Sequence, residues 1–163
     1  MATTFSTQLV TERGNSQRGR NPYMVEVEID FAQFATAPDP SADDVVQAIT
    51  IPAGTMILSA GCEITEALTE DTGTDSTIDI GVTGIDPNGF VAALDGSGAA
   101  GTYGPIYAAG IPQMVATEDT LDVTLASATC DGISAGKLRV FAVLIDVSAR
   151  GDMGADEVSR DQA

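Results

Sequence analysis

The chain has 163 residues, 44% of them apolar but only 5% aromatic, and it contains no Trp and no His. Without histidine there can be no Ser-His or Cys-His nucleophile and no His-ligated metal, and a formal net charge of −17, from 24 acids against 7 bases, opposes the phosphate neutralisation that nucleic-acid binding requires. A chain of this length can bury a real core in one domain, and with so few aromatics that core must be built from Val, Ile, Leu and Ala, which favours strands packed on strands.

Charge divides the sequence into three parts. Residues 1–21 hold Arg13, Arg18 and Arg20 against Glu12, a net +2, and show no sustained apolar period, so they are expected to form a basic, flexible N-terminal arm. Residues 22–147 hold 19 acids against Lys137 and Arg139, a net −17, and form the expected β domain. Residues 148–163, SARGDMGADEVSRDQA, are a polar tail. The N-terminus lacks the apolar run of a signal peptide and no segment has the roughly 18 continuous apolar residues of a membrane helix, so synthesis in a cytoplasm without membrane insertion is expected.

In chain order, MVEVEIDF (Met24 to Phe31) alternates apolar and acidic residues, the pattern of a strand with one buried face and one wet face. Val45 to Ile51, a Pro52-Ala53-Gly54 turn and Met56 to Leu68 read as a hairpin, with room for a bend near Gly61. Thr77 to Val82 alternates again, Asp86-Pro87-Asn88-Gly89 reads as a turn, and Phe90 to Leu94 as the returning strand. A loop of small residues follows from Asp95 to Gly104. Leu121, Val123 and Leu125 alternate with Asp122 and Thr124, and Leu138 to Val147 is the most apolar run of the chain. No helix pattern of any length is present. About eight strands joined by Gly, Pro and Asp turns predict an all-β fold, an antiparallel β-sandwich or jelly roll with an extended N-terminal arm.

One tripeptide raises a catalytic question. Asp71-Thr72-Gly73 is the DTG of aspartic proteases, in which two such carboxylates share one proton, so a chain with one copy would have to act as a homodimer. Its approach here is Thr69-Glu70, and burying a third negative charge beside a dyad is costly. A solvated loop accounts for the same residues. Glu70, Asp71, Asp75 and Asp79 also offer oxygen ligands for a cation, without EF-hand spacing. Cys62 and Cys130 cannot build a zinc site alone and read as two small buried hydrophobes, with a single disulfide as the other possibility. No phosphate-binding glycine loop accompanies the only lysine, Lys137, and a paired-carboxylate glycosidase would lack the aromatic residues on which sugars stack. The sequence leads to no enzyme, no cofactor and no metal site.

The segments ITIPAGTMILSAGCEITEAL, STIDIGVTGIDPNGF and DTLDVTLASATCDGISAGKLRVFAVLIDV, behind a basic arm, resemble the small β-rich decoration (cement) proteins of tailed-bacteriophage capsids, over about residues 45–147. That resemblance implies a β-sandwich or jelly roll, often a homotrimer, on the outer capsid surface of a virion. There it would bind the major capsid protein where subunits meet, with other capsid decoration proteins as possible neighbours. The arm would supply adhesion through Arg13, Arg18 and Arg20 and through strand addition to a neighbour's sheet edge. Two other functional classes compete with it. One is a virion-surface module that recognises a host glycan or protein through the Gly96 to Tyr107 loop, with Tyr103 and Tyr107; the other is the DTG homodimer.

Overall fold

The computed structural model describes residues 4–6, 21–34, 41–71, 76–104, 112–126 and 132–147, the first of these as backbone only. Ten strands arise from them: β1 (Thr4–Ser6), β2 (Tyr23–Asp30), β3 (Val45–Ile51), β4 (Thr55–Glu70), β5 (Thr77–Val82), β6 (Asp86–Asp95), β7 (Thr102–Tyr103), β8 (Gln113–Val115), β9 (Asp119–Leu125) and β10 (Ile133–Asp146). Among the described residues the one helical element is a single 3₁₀ turn, Phe31–Gln33, capped by the Asp30 carboxylate, which accepts from the Ala32 amide.

The strands form two sheets. The first has the order β1-β3-β9-β5-β6, and the second β2-β10-β4-β7 with β8 also paired to β4. Pairing is antiparallel throughout except for β1, which runs parallel to β3 with Thr4 opposite Val45 and Ser6 opposite Gln47. Three residues of the expected arm thus extend the first sheet at its β3 edge. The all-β sandwich expected from alternation is the observed fold.

Alternation fixes what each sheet buries. Val27 and Ile29 of β2, Val140 and Leu144 of β10, and Cys62 and Ile64 of β4 face Val46 of β3, Leu121 and Val123 of β9 and Ile80 of β5 across one continuous core. Phe31 and Phe90 are its largest fully buried side chains, and branched aliphatics supply the rest. Burying each such side chain stabilises the fold by about 1.5–3 kcal/mol before the entropy of ordering is subtracted.

Two local expectations are corrected. The predicted hairpin of β3 and β4 does not form, because Pro52 to Gly54 carries the chain from one sheet to the other: the Gly54 amide donates to Val115 O on the second sheet, at φ 78°, while β3 pairs with β9. The turn expected at Asp86 to Gly89 lies instead at Thr83 to Ile85, closed by the Ile85 amide on Val82 O, and Asp86 already pairs with Val82. Gly81 permits this, since a Cβ there would lie 2.0 Å from Asp86 O.

Candidate functional site

Of the residues singled out in the sequence, Arg13, Arg18, Arg20 and Tyr107 lie outside the described residues, as do Thr72, Gly73, Asp75 and Cys130. The others can be located. Asp71 is exposed just past the end of β4, its amide donating to the O of Gly132, which sits at φ 58° immediately before β10. Behind it the Glu70 carboxylate oxygens are buried and take no hydrogen bond among the described residues. Asp79 is committed elsewhere, accepting from the Ala93 amide at 2.6 Å, and the described residues contain no cluster of three acidic or cysteine side chains that could hold a metal. Cys62 is a free thiol, and burial pushes it up to about 12, against a smaller lowering by its hydrogen bond with the Gly104 backbone.

The outer face of the second sheet is where sequence-predicted and unpredicted residues meet. Register builds it as cross-strand rows. At one end Lys137 lies opposite Asp30, and next to it Arg139 lies between Glu28 and Glu63, with Glu63 opposite Tyr103. Arg139 is hydrogen-bonded to Glu63 and ion-paired with Glu26 at 3.8 Å; Lys137 stands 3.9 Å from Asp30. The carboxylate of Glu63 above all, joined by Glu26, raises the guanidinium pKa above its ordinary value, so Arg139 is a permanent cation. Tyr103 stands beside this group on β7, 57% exposed.

Along the same strands the face then turns apolar. Phe141 lies opposite Gly61 and Glu26, Val143 opposite Ser59 and Met24, and Ile145 opposite Met56, which itself lies opposite Met114. Met24 is 58% and Met114 44% exposed. The residue-by-residue reading did not single out these methionines, although a run such as Leu138 to Val147, apolar at both alternating sets of positions, signals a strand with something to bury on each side.

The outer face of the first sheet differs. There Asp122 is only 2% exposed, and its carboxylate accepts from the Thr83 hydroxyl, the Thr83 amide at 3.4 Å and the Thr120 hydroxyl at 2.6 Å. Burial raises its pKa, the three hydrogen bonds counter that, and Asp119 raises it further. With its acceptor positions filled from within the chain, this carboxylate serves the fold.

No protein-family model matches the sequence, and no curated protein does. Among solved structures, a chain in the capsid of Ralstonia phage GP4 superimposes with a TM-score of 0.62 at 14% identity, over 90% of this chain and 100% of that one. A chain in the capsid asymmetric unit of cyanophage Pam1 does so with a TM-score of 0.57 at 16% identity, over 89% of this chain and 99% of that one. At such identities the likeness is one of fold, and it runs almost from end to end of each chain: this protein shares the β-sandwich of chains found in two phage capsids.

Proposed function

We propose that this chain is a structural, non-enzymatic component of a bacteriophage virion, and specifically a decoration protein that sits on the outer capsid surface and ties major capsid protein subunits together. The observation that carries the reading is the near-complete, two-way coverage between this sandwich and chains of two phage capsids. A fold by itself hosts many functions, so the reading also leans on what the surface offers: a body with many acids and only two cations, behind an arm with three arginines.

The mechanism follows from weak contacts used many times. In the proposed arrangement a homotrimer touches several capsid subunits at once, and dissociation requires all contacts to release together, so modest individual affinities yield a slow off-rate. Arg13, Arg18 and Arg20 pair with capsid carboxylates, each exposed pair contributing about 0.2–1 kcal/mol. Strand addition is within the arm's repertoire, because Thr4–Ser6 already extends a sheet edge in the isolated chain.

Adding the purified chain back to heads that lack it tests this reading. Saturable binding to the heads, with a higher temperature of head disruption, is expected. Failure to co-sediment with heads at any concentration contradicts it.

A further inference from the structure

We propose that the free edge of β2 receives an extended segment of the capsid shell, one that alternates basic and apolar side chains and joins the second sheet as an added strand. The inference rests on the decoration reading above and gives that reading a contact on the body of the chain. A sheet edge is a row of unpaired N–H and C=O groups, and proteins blunt such rows where nothing is meant to pair with them. Most edges here are blunted. β1, β7 and β8 are only two or three residues long. β6 carries Pro87, shifts register twice against β5 and turns the amide of Ala93, at φ 52°, onto the Asp79 carboxylate.

β2 is the exception. It runs for eight residues without Pro or Gly, in unbroken register with β10, and among the described residues no backbone group pairs with the other side of residues 24–30. In the first sheet β3 has β1 outside it; β2, which approaches β3 from the opposite sheet, has no described strand outside it. Tyr23 and Val25, on the core-facing side of β2, are only partly buried. An added strand completes the pairing and covers both.

The two faces of β2 state what that strand must carry, because its side chains stand in rows with those of β2. Toward the core it meets Tyr23 and Val25 and must be apolar. Toward solvent it meets Glu26, Glu28 and Asp30, backed by Glu63 and Glu66 of β4, and Lys137 and Arg139 alone oppose these acids within the sheet. Glu28 meets no cation among the described residues and accepts from the Thr65 hydroxyl at 3.5 Å. The outer row therefore selects basic side chains.

A second copy of the body does not supply such a strand. Its β2 would set acid against acid, and its two cations lie on β10, an interior strand. The chain's own arm does not supply it through a tight hairpin: a two-residue turn at Asn21-Pro22 sets Arg20 opposite Tyr23 and Arg18 opposite Val25, on the core-facing side. The shell is the remaining neighbour of a decoration protein.

Hydrogen exchange of the full chain, free and bound to heads, tests the assignment. Amides of residues 24–30 that exchange fast in the free chain should slow at least about tenfold on heads. Unchanged exchange there overturns the inference and leaves decoration standing. Protection already present in the free protein, at low or high concentration, assigns the edge to the chain's own arm or to a second copy and overturns it equally. A chain that binds no head overturns the decoration reading, and this inference with it. Glu28→Lys, with an unchanged circular dichroism spectrum, should weaken head binding about three- to tenfold. Glu118→Lys, at another exposed acid just before β9, should leave it unchanged. Equal affinity of the two variants would count against a basic partner even where β2 is protected.

Discussion

Asp122 shows how a single residue ties this fold to pH. Its carboxylate is held against the outer face of the first sheet by Thr83 and Thr120, and burial raises its pKa above the unfolded value. The native state therefore keeps a proton at pH values where the unfolded chain has lost it, and the stability this contributes is fully present below the unfolded pKa and is lost as pH rises through the folded one. Asp122→Asn removes that dependence. Urea titrations should show the variant gaining on the wild type as pH rises through this window, with a constant difference above it; a difference independent of pH across the whole range would refute the assignment. Cys62 offers a second check at this scale. With a pKa near 12 and no exposure it has almost no thiolate at neutral pH. Peptide mapping after iodoacetamide treatment should find Cys62 unmodified in the native protein and labelled only after denaturation.

At the scale of elements, irregularities shape the sheets. Between β10 and β4 the register shifts around Ala135, Lys137 and Leu138, and Gly136 sits there at φ 113°, where a Cβ would come within 2.6 Å of Leu68 Cα. Gly136→Ala should therefore lower stability by at least about 1–3 kcal/mol, visible as a reduced urea midpoint; an unchanged midpoint would mean that β4 shifts to make room. The same distinction explains what could be read in advance. MVEVEIDF announced β2 with its buried Val27 and Ile29 and its exposed Glu26 and Glu28, because alternation is local. Which strand β3 would pair with was not local information. Pro52-Ala53-Gly54 has the chemistry of a hairpin turn and instead crosses between sheets, since the partner of β3 is β9, some 70 residues further along the chain. The turn at Thr83 to Ile85 was hidden for a similar reason, as Gly81 matters through its closeness to Asp86 and Pro87 rather than through any signal of its own.

For the whole molecule, the sandwich was legible from composition, while its surfaces were only partly so. Tyr103 was singled out and is exposed; Arg139 was seen only as a body charge, and its clamp between Glu63 and Glu26 depends on register that three separate strands bring together. The methionine face arises in the same way. The arm carries the remaining prediction. Removing residues 2–20 should leave the sandwich folded by circular dichroism, apart from the β1 pairing at the β3 edge, and should make the protein easy to displace from heads. Replacing Arg13, Arg18 and Arg20 together with Ala should give a milder defect that grows with ionic strength, because salt screens the exposed pairs that remain. A truncated chain that binds heads as tightly as the intact one would assign adhesion to the body alone. The central claim, that this chain decorates a phage head from outside, is tested most directly by a cryo-EM map of particles that contain it. The account predicts sandwich-shaped density in groups of three on the outer capsid surface, bridging major capsid protein subunits, and density confined to the capsid interior, to the tail or to no ordered position on the shell would contradict it.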